Sequence, residues 1–161
     1  MAKSTEEWKL PQGRSLRLKG HNYAGPASYF LTIRSEHHEP VFEMPELRGI
    51  VEEGWKALPA RFPHVRLDSY IVMPDHMHSI LHVVVNKEKV PPLGSVIGAY
   101  KSLTTNAWLE YVKTHNISWS GNLWQDNFND HVIRDNRDLV QKREYIRLNP
   151  IRWEQYPNRY S

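Results

Sequence analysis

Two alternating apolar runs, residues 65–73 and 77–86, are separated only by Pro74 and Asp75, a turn-forming pair. So short a link forces the runs to pair as an antiparallel hairpin. Alternate residues of a strand share a face and stand roughly 6.6 Å apart, which sets His76 and His78 side by side where the second run begins. Two imidazoles so placed can offer nitrogens to one divalent ion. A polar pair facing solvent is the plainer reading of the same spacing. His82 shares that face but lies roughly 13 Å from His76, too far for the same ion.

The remaining elements wrap this hairpin. Residues 27–34 alternate and are rich in aromatic and β-branched types, which predicts a first strand. Leu47, Ile50, Val51, Trp55 and Leu58 recur at helical spacing between Pro45 and Pro63. A longer helix runs from Leu93 through Val112, with Gly94 and Gly98 either weakening it or admitting a neighbour closely. After a loop, residues 128–134 suit a short last strand, and a final helix opens at Asp135 or Asn136 and ends at Pro150. The order strand-helix-strand-strand-helix-strand-helix predicts an α+β fold: a ferredoxin-like split βαβ antiparallel sheet with helices. Residues 1–161 are too few for two ordinary domains, so one is expected.

In the final helix, Tyr145 and Asn149 are four residues apart and share a face. Docked beside the histidine strand, that face adds a phenol and a third, hard oxygen donor. Magnesium or manganese accepts two imidazoles and an amide oxygen, and both bind phosphate oxygens. Tyr145 could then attack phosphorus and expel a sugar hydroxyl, giving a phosphotyrosine. One phosphodiester replaces another, so the step is reversible without ATP. Asp75 is explained by the turn, in preference to a partnership with a histidine. Trp8, Trp119, Trp124 and Trp153 suit either base stacking or the core.

The chain has no cysteine, which excludes disulfides and thiolate zinc sites and fits a reducing interior. It has no apolar stretch suited to a leader or a bilayer span, so a cytoplasmic protein is expected. A net charge of +3 leans weakly toward a polyanion. Arg134, Arg137, Lys142, Arg143, Arg147 and Arg152 cluster around Tyr145, either as a phosphate-binding rim or as a solvated face paired with Asp135, Asp138 and Glu144.

These motifs, taken in order, resemble the REP-associated tyrosine transposases, a branch of the single-tyrosine HUH transposases related to small insertion-sequence enzymes. The likeness covers most of the chain: Arg17-Leu18-Lys19-Gly20, Tyr29-Phe30-Leu31-Thr32-Ile33, Met73-Pro74-Asp75-His76-Met77-His78, Ile97-Gly98-Ala99-Tyr100-Lys101-Ser102, Leu123-Trp124-Gln125, Asp130-His131-Val132-Ile133-Arg134-Asp135 and Tyr145-Ile146-Arg147-Leu148-Asn149-Pro150. The resemblance implies an HUH-type nuclease architecture with His76, His78 and Asn149 as ligands of Mg2+ or Mn2+ and Tyr145 as the nucleophile that joins a 5′ phosphate. It implies a substrate of single-stranded DNA beside a hairpin, cut and rejoined, in a bacterial, nucleoid-associated protein working as a monomer or homodimer. Arg17, Lys19, Lys101, His131 and Arg134 are the expected DNA contacts. The rival expectation is a non-catalytic regulator of the same fold that binds DNA or RNA hairpins.

Overall fold

The computed structural model describes residues 27–84 and 91–155, with backbone alone for Arg152 and Gln155. The described residues include four strands: β1 (Ala27–Arg34), β2 (Val65–Met73), β3 (His76–Val83) and β4 (Asn129–Ile133). The helices are α1 (Pro45–Lys56), α2 (Leu58–Arg61), α3 (Leu93–Thr114) and α4 (Asn136–Gln155). The strands form one antiparallel sheet in the order β2-β3-β1-β4, the split βαβ topology that the element order predicts.

The pleat sorts side chains between two layers. Tyr29, Leu31 and Ile33 of β1 and Met77 and Leu81 of β3 join Leu47, Val51 and Trp55 of α1 and Val96, Ile97, Tyr100 and Trp108 of α3 in the main core. Burying each large apolar side chain stabilises the fold by about 1.5–3 kcal/mol. The close helix approach falls at Gly54 of α1, where a Cβ would meet Thr104 Cγ2 at 2.7 Å. At Gly98 a Cβ would meet nothing within 4 Å, so of the two readings of that residue the close approach does not hold.

The opposite face carries α4. Ile80, Ile133, Leu139 and Ile146 form a second cluster there, flanked by Phe30 and Ile71. Asp135 caps the helix, its Oδ1 accepting the Asp138 N–H at 2.6 Å. A register shift between Leu67 and Tyr70 bulges β2. Asp68, within that bulge, accepts Arg143 Nε and Nη2 at 2.9 and 2.6 Å and so ties α4 to the sheet.

Several boundaries differ from expectation. The helix between Pro45 and Pro63 breaks at Ala57, because Pro59 lacks the N–H that would continue the ladder and instead sits in the first turn of α2. Pro150 does not end α4, which continues to Gln155. β3 starts one residue early, at His76, and ends at Val83. The expected last strand is shorter by one residue at each end. Among the described residues no helix is long and apolar enough to cross a membrane.

Candidate active site

β1 and β3 build the floor of the site, with Thr32 opposite His78 and Arg34 opposite His76 in register. The two imidazoles lean together, with ring centroids 4.7 Å apart and planes at 71°. Each ring is oriented through Nδ1. Asp75 Oδ1 lies 2.5 Å from Nδ1 of His76, and Thr32 Oγ1 lies 2.9 Å from Nδ1 of His78. A carboxylate only accepts, so Nδ1 of His76 holds the proton and Nε2 keeps its lone pair. Asp75 therefore does more than the turn reading allowed: its backbone makes the turn while its side chain turns back to the neighbouring ring.

Burial lowers the pKa of both histidines. For His76 the nearby Asp75 offsets part of that effect. His78 is pushed to about 3, by burial first and then by the positive charges of His76 and Arg34. Both rings are neutral at physiological pH, the state in which imidazole binds a metal.

α4 lies over this floor. The Tyr145 ring is 5.3 Å from that of His78, and Phe30 stacks on His78 at 5.1 Å while meeting Tyr145 edge-on at 5.7 Å. Two turns later Trp153 comes within 6.0 Å of His76. The helix thus descends as β3 ascends, and Asn149, one turn from each aromatic, falls between the two contacts. Asn149 is 0% exposed, and among the described residues neither its Oδ1 nor its Nδ2 has a hydrogen-bond partner. Leaving such a group unpaired costs about 1–3 kcal/mol, which an ion on Oδ1 would offset in part. Among the described residues no three His, Cys, Asp or Glu side chains gather. Two imidazole nitrogens and one amide oxygen are available there, a mixed nitrogen and oxygen set that suits a divalent ion with open positions and does not by itself select which one.

The other expected contacts are spread out. Arg17 and Lys19 lie outside the described residues. Lys101, on α3, donates from Nζ to the carbonyls of Gln125, Asp126 and Asn127 at 2.7, 3.0 and 3.1 Å, closing the loop before β4. His131 sits across Phe30 from the histidines, with Nε2 3.8 Å from Asp138 Oδ2. Arg134 follows β4, half-buried. The cations of α4 largely pair at home: Lys142 with Asp138, Arg143 with Asp68 and Arg147 with Glu144. His82, already outside the expected ligand set, bonds Ser28 through Nδ1 and Asp68 through Nε2. Trp124 is core, donating Nε1 to Thr104 Oγ1, and Trp119 packs on Trp108. The sequence reading passed over Arg34, whose only signal is its alternation with Phe30 and Thr32.

A solved REP-associated tyrosine transposase, determined bound to a REP hairpin, superposes on this chain with a TM-score of 0.65 over 85% of this chain and 74% of that one, at 19% identity. This chain has the REP-associated tyrosine transposase fold. A Haemophilus influenzae protein of uncharacterised function is 31% identical over 168 aligned positions, covering 88% of this chain and 90% of that protein, and the two belong to one family. No family model matches. Within the transposase fold, the facing pair of β3 and α4 gathers both histidines, the phenol and the buried amide into one place.

Proposed function

We propose that this protein is a metal-dependent DNA strand transferase that cleaves and rejoins single-stranded DNA beside hairpins through a 5′-phosphotyrosine on Tyr145. The observation that carries this reading is the buried, partnerless amide of Asn149, placed by α4 between the Tyr145–His78 and Trp153–His76 contacts. A helix that only packed would have no reason to keep an unsatisfied amide there. The solved neighbour of the same fold, bound to a hairpin, supports the choice of substrate.

His76 and His78, through Nε2, and Asn149, through Oδ1, would hold Mg2+ or Mn2+. Such an ion supplies Lewis-acid polarisation of the scissile phosphate. The protein does the rest. Asp75 fixes the tautomer of His76 and Thr32 orients the ring of His78, and Phe30 walls one side of the Tyr145 ring. The Tyr145 oxygen forms a bond to phosphorus as the bond to the 3′ oxygen breaks. Over the whole step the phenol loses its proton and the departing 3′ hydroxyl gains one. Rejoining is the same exchange in reverse, with a 3′ hydroxyl attacking the phosphotyrosine.

The test uses 5′- and 3′-labelled stem–loop DNA with Mg2+ or Mn2+, resolved on a denaturing gel. The expected result is an adduct carrying the 3′-side fragment with wild type and none with Tyr145→Phe. Binding of cognate hairpin DNA without any adduct would favour the regulator instead.

A further inference from the structure

Of the cations around α4, Arg143, Arg147 and Lys142 have carboxylate partners, while Arg134 and Arg137 have none among the described residues; Lys101, on α3, holds three loop carbonyls. Arg34 is set apart by its place on the histidine face. It ends β1, opposite His76 in register, on the face whose earlier members Phe30 and Thr32 both touch His78. It is half-buried, and its charge reaches both histidine rings, disfavouring their protonation. Among the described residues no carboxylate lies within ion-pair distance of its guanidinium.

A cation with no carboxylate partner among the described residues, beside two imidazoles that would hold an ion, creates an electrostatic imbalance. Asp75, the acid beside the rings, is committed to Nδ1 of His76. The third donor, Asn149, is neutral. With a divalent ion in place, the pocket carries positive charge from two directions and little protein charge to balance it. The missing component is an anion lying between the guanidinium and the ion. A phosphodiester meets that need, and the planar fork of arginine suits two oxygens of a phosphate.

We propose that Arg34 binds a non-bridging oxygen of the phosphate attacked by Tyr145, completing the site opposite the ion. This rests on the DNA-cleavage reading above. Arg34 then does two things: it places the phosphate in line with the phenol, and it takes up charge that develops on the phosphoryl oxygens. It also discourages metal binding by the empty protein, so ion and DNA bind cooperatively.

The test compares wild type, Arg34→Gln and Arg34→Lys. Mn2+ affinity of the DNA-free protein is measured first, by titration calorimetry. Binding of a stem–loop oligonucleotide with a thymidine flank is then followed against KCl concentration in the presence of Mn2+. Arg34→Gln should bind Mn2+ alone at least as tightly as wild type, because a repelling charge is gone. It should bind the oligonucleotide roughly tenfold or more weakly, with a salt slope lower by roughly 0.7, one single-strand phosphate contact. Arg34→Lys should keep the slope and recover only part of the affinity. The proposal is overturned if Arg34→Gln leaves oligonucleotide affinity and slope unchanged. It is equally overturned if that variant loses Mn2+ affinity together with its urea midpoint, the mark of a structural role, or if wild type does not bind the oligonucleotide. Absence of an adduct on wild type would remove the strand-transfer reading, while the binding data would still decide the role of Arg34.

Discussion

Arg143 reaches from α4 and closes both donors of its fork on Asp68, the carboxylate set in the β2 bulge. Burial opposes a charge on Asp68, yet hydrogen bonds from His82 and Arg143 hold its carboxyl far below the usual carboxylate range. The pair fixes α4, and therefore Tyr145, against the sheet.

Asp68→Asn should lower stability by about 1–3 kcal/mol, at the lower end because Arg143 is 39% exposed and screened. Arg143→Lys should cost less, since one hydrogen bond survives. Urea midpoints measure the loss. Adduct formation should slow with Asp68→Asn, as the phenol loses its fixed place.

Acid should destabilise the protein in two windows. The folded pKa of His78 is about 3, below the ordinary value of 6.5, so the unfolded chain takes up protons first as pH falls. Stability is complete above about pH 6.5 and should be lower by about 2 kcal/mol at pH 5 from His78 alone. His76, shifted the same way, adds to this. Asp68 is also depressed, and its contribution disappears below the unfolded value near 4. Urea unfolding in roughly half-unit steps from about pH 7.5 down to about pH 2.5 checks both windows. Replacing His78 with Leu should reduce the upper window to the part His76 contributes and leave the lower one.

The Asn149 amide predicts opposite effects with and without metal. Without a divalent ion, Asn149→Leu should match or exceed the wild-type urea midpoint, because a partnerless buried amide is removed. The stabilisation that Mn2+ gives wild type should be lost. A large drop in the metal-free midpoint would show that the amide has a structural partner.

The supports of the two rings should matter separately. Asp75→Asn keeps an oxygen acceptor for Nδ1 of His76 but removes the charge that raises ring basicity. Thr32→Val removes the hydroxyl beside Nδ1 of His78. Each should weaken Mn2+ binding about 10- to 100-fold, measured by calorimetry, with little change in helix content.

Much of this arrangement is legible in the sequence. The alternation of residues 65–86 and the Pro74-Asp75 turn located the hairpin and put both histidines on one face, because strand periodicity is strict. The spacing of Tyr145 and Asn149 placed them on one helical face for a similar reason. What stayed hidden depended on register and packing. Arg34 becomes a neighbour of His76 only when β1 and β3 pair at one particular offset. The pairing of Arg143 with Asp68 spans 75 positions and needs a bulge to aim the carboxylate. The length of α4 is not legible because proline usually ends a helix, whereas here the helix persists across it, with Trp153 packed near His76.

Pro150 gives that helix two mechanical regimes. Lacking an N–H, it leaves the Ile146 carbonyl without its partner from the turn above. Upstream, Arg143 and the Ile146 cluster clamp the helix to the sheet. Downstream, Trp153 rides on a lever joined at a weakened turn. The indole beside His76 can therefore shift while the phenol keeps its place.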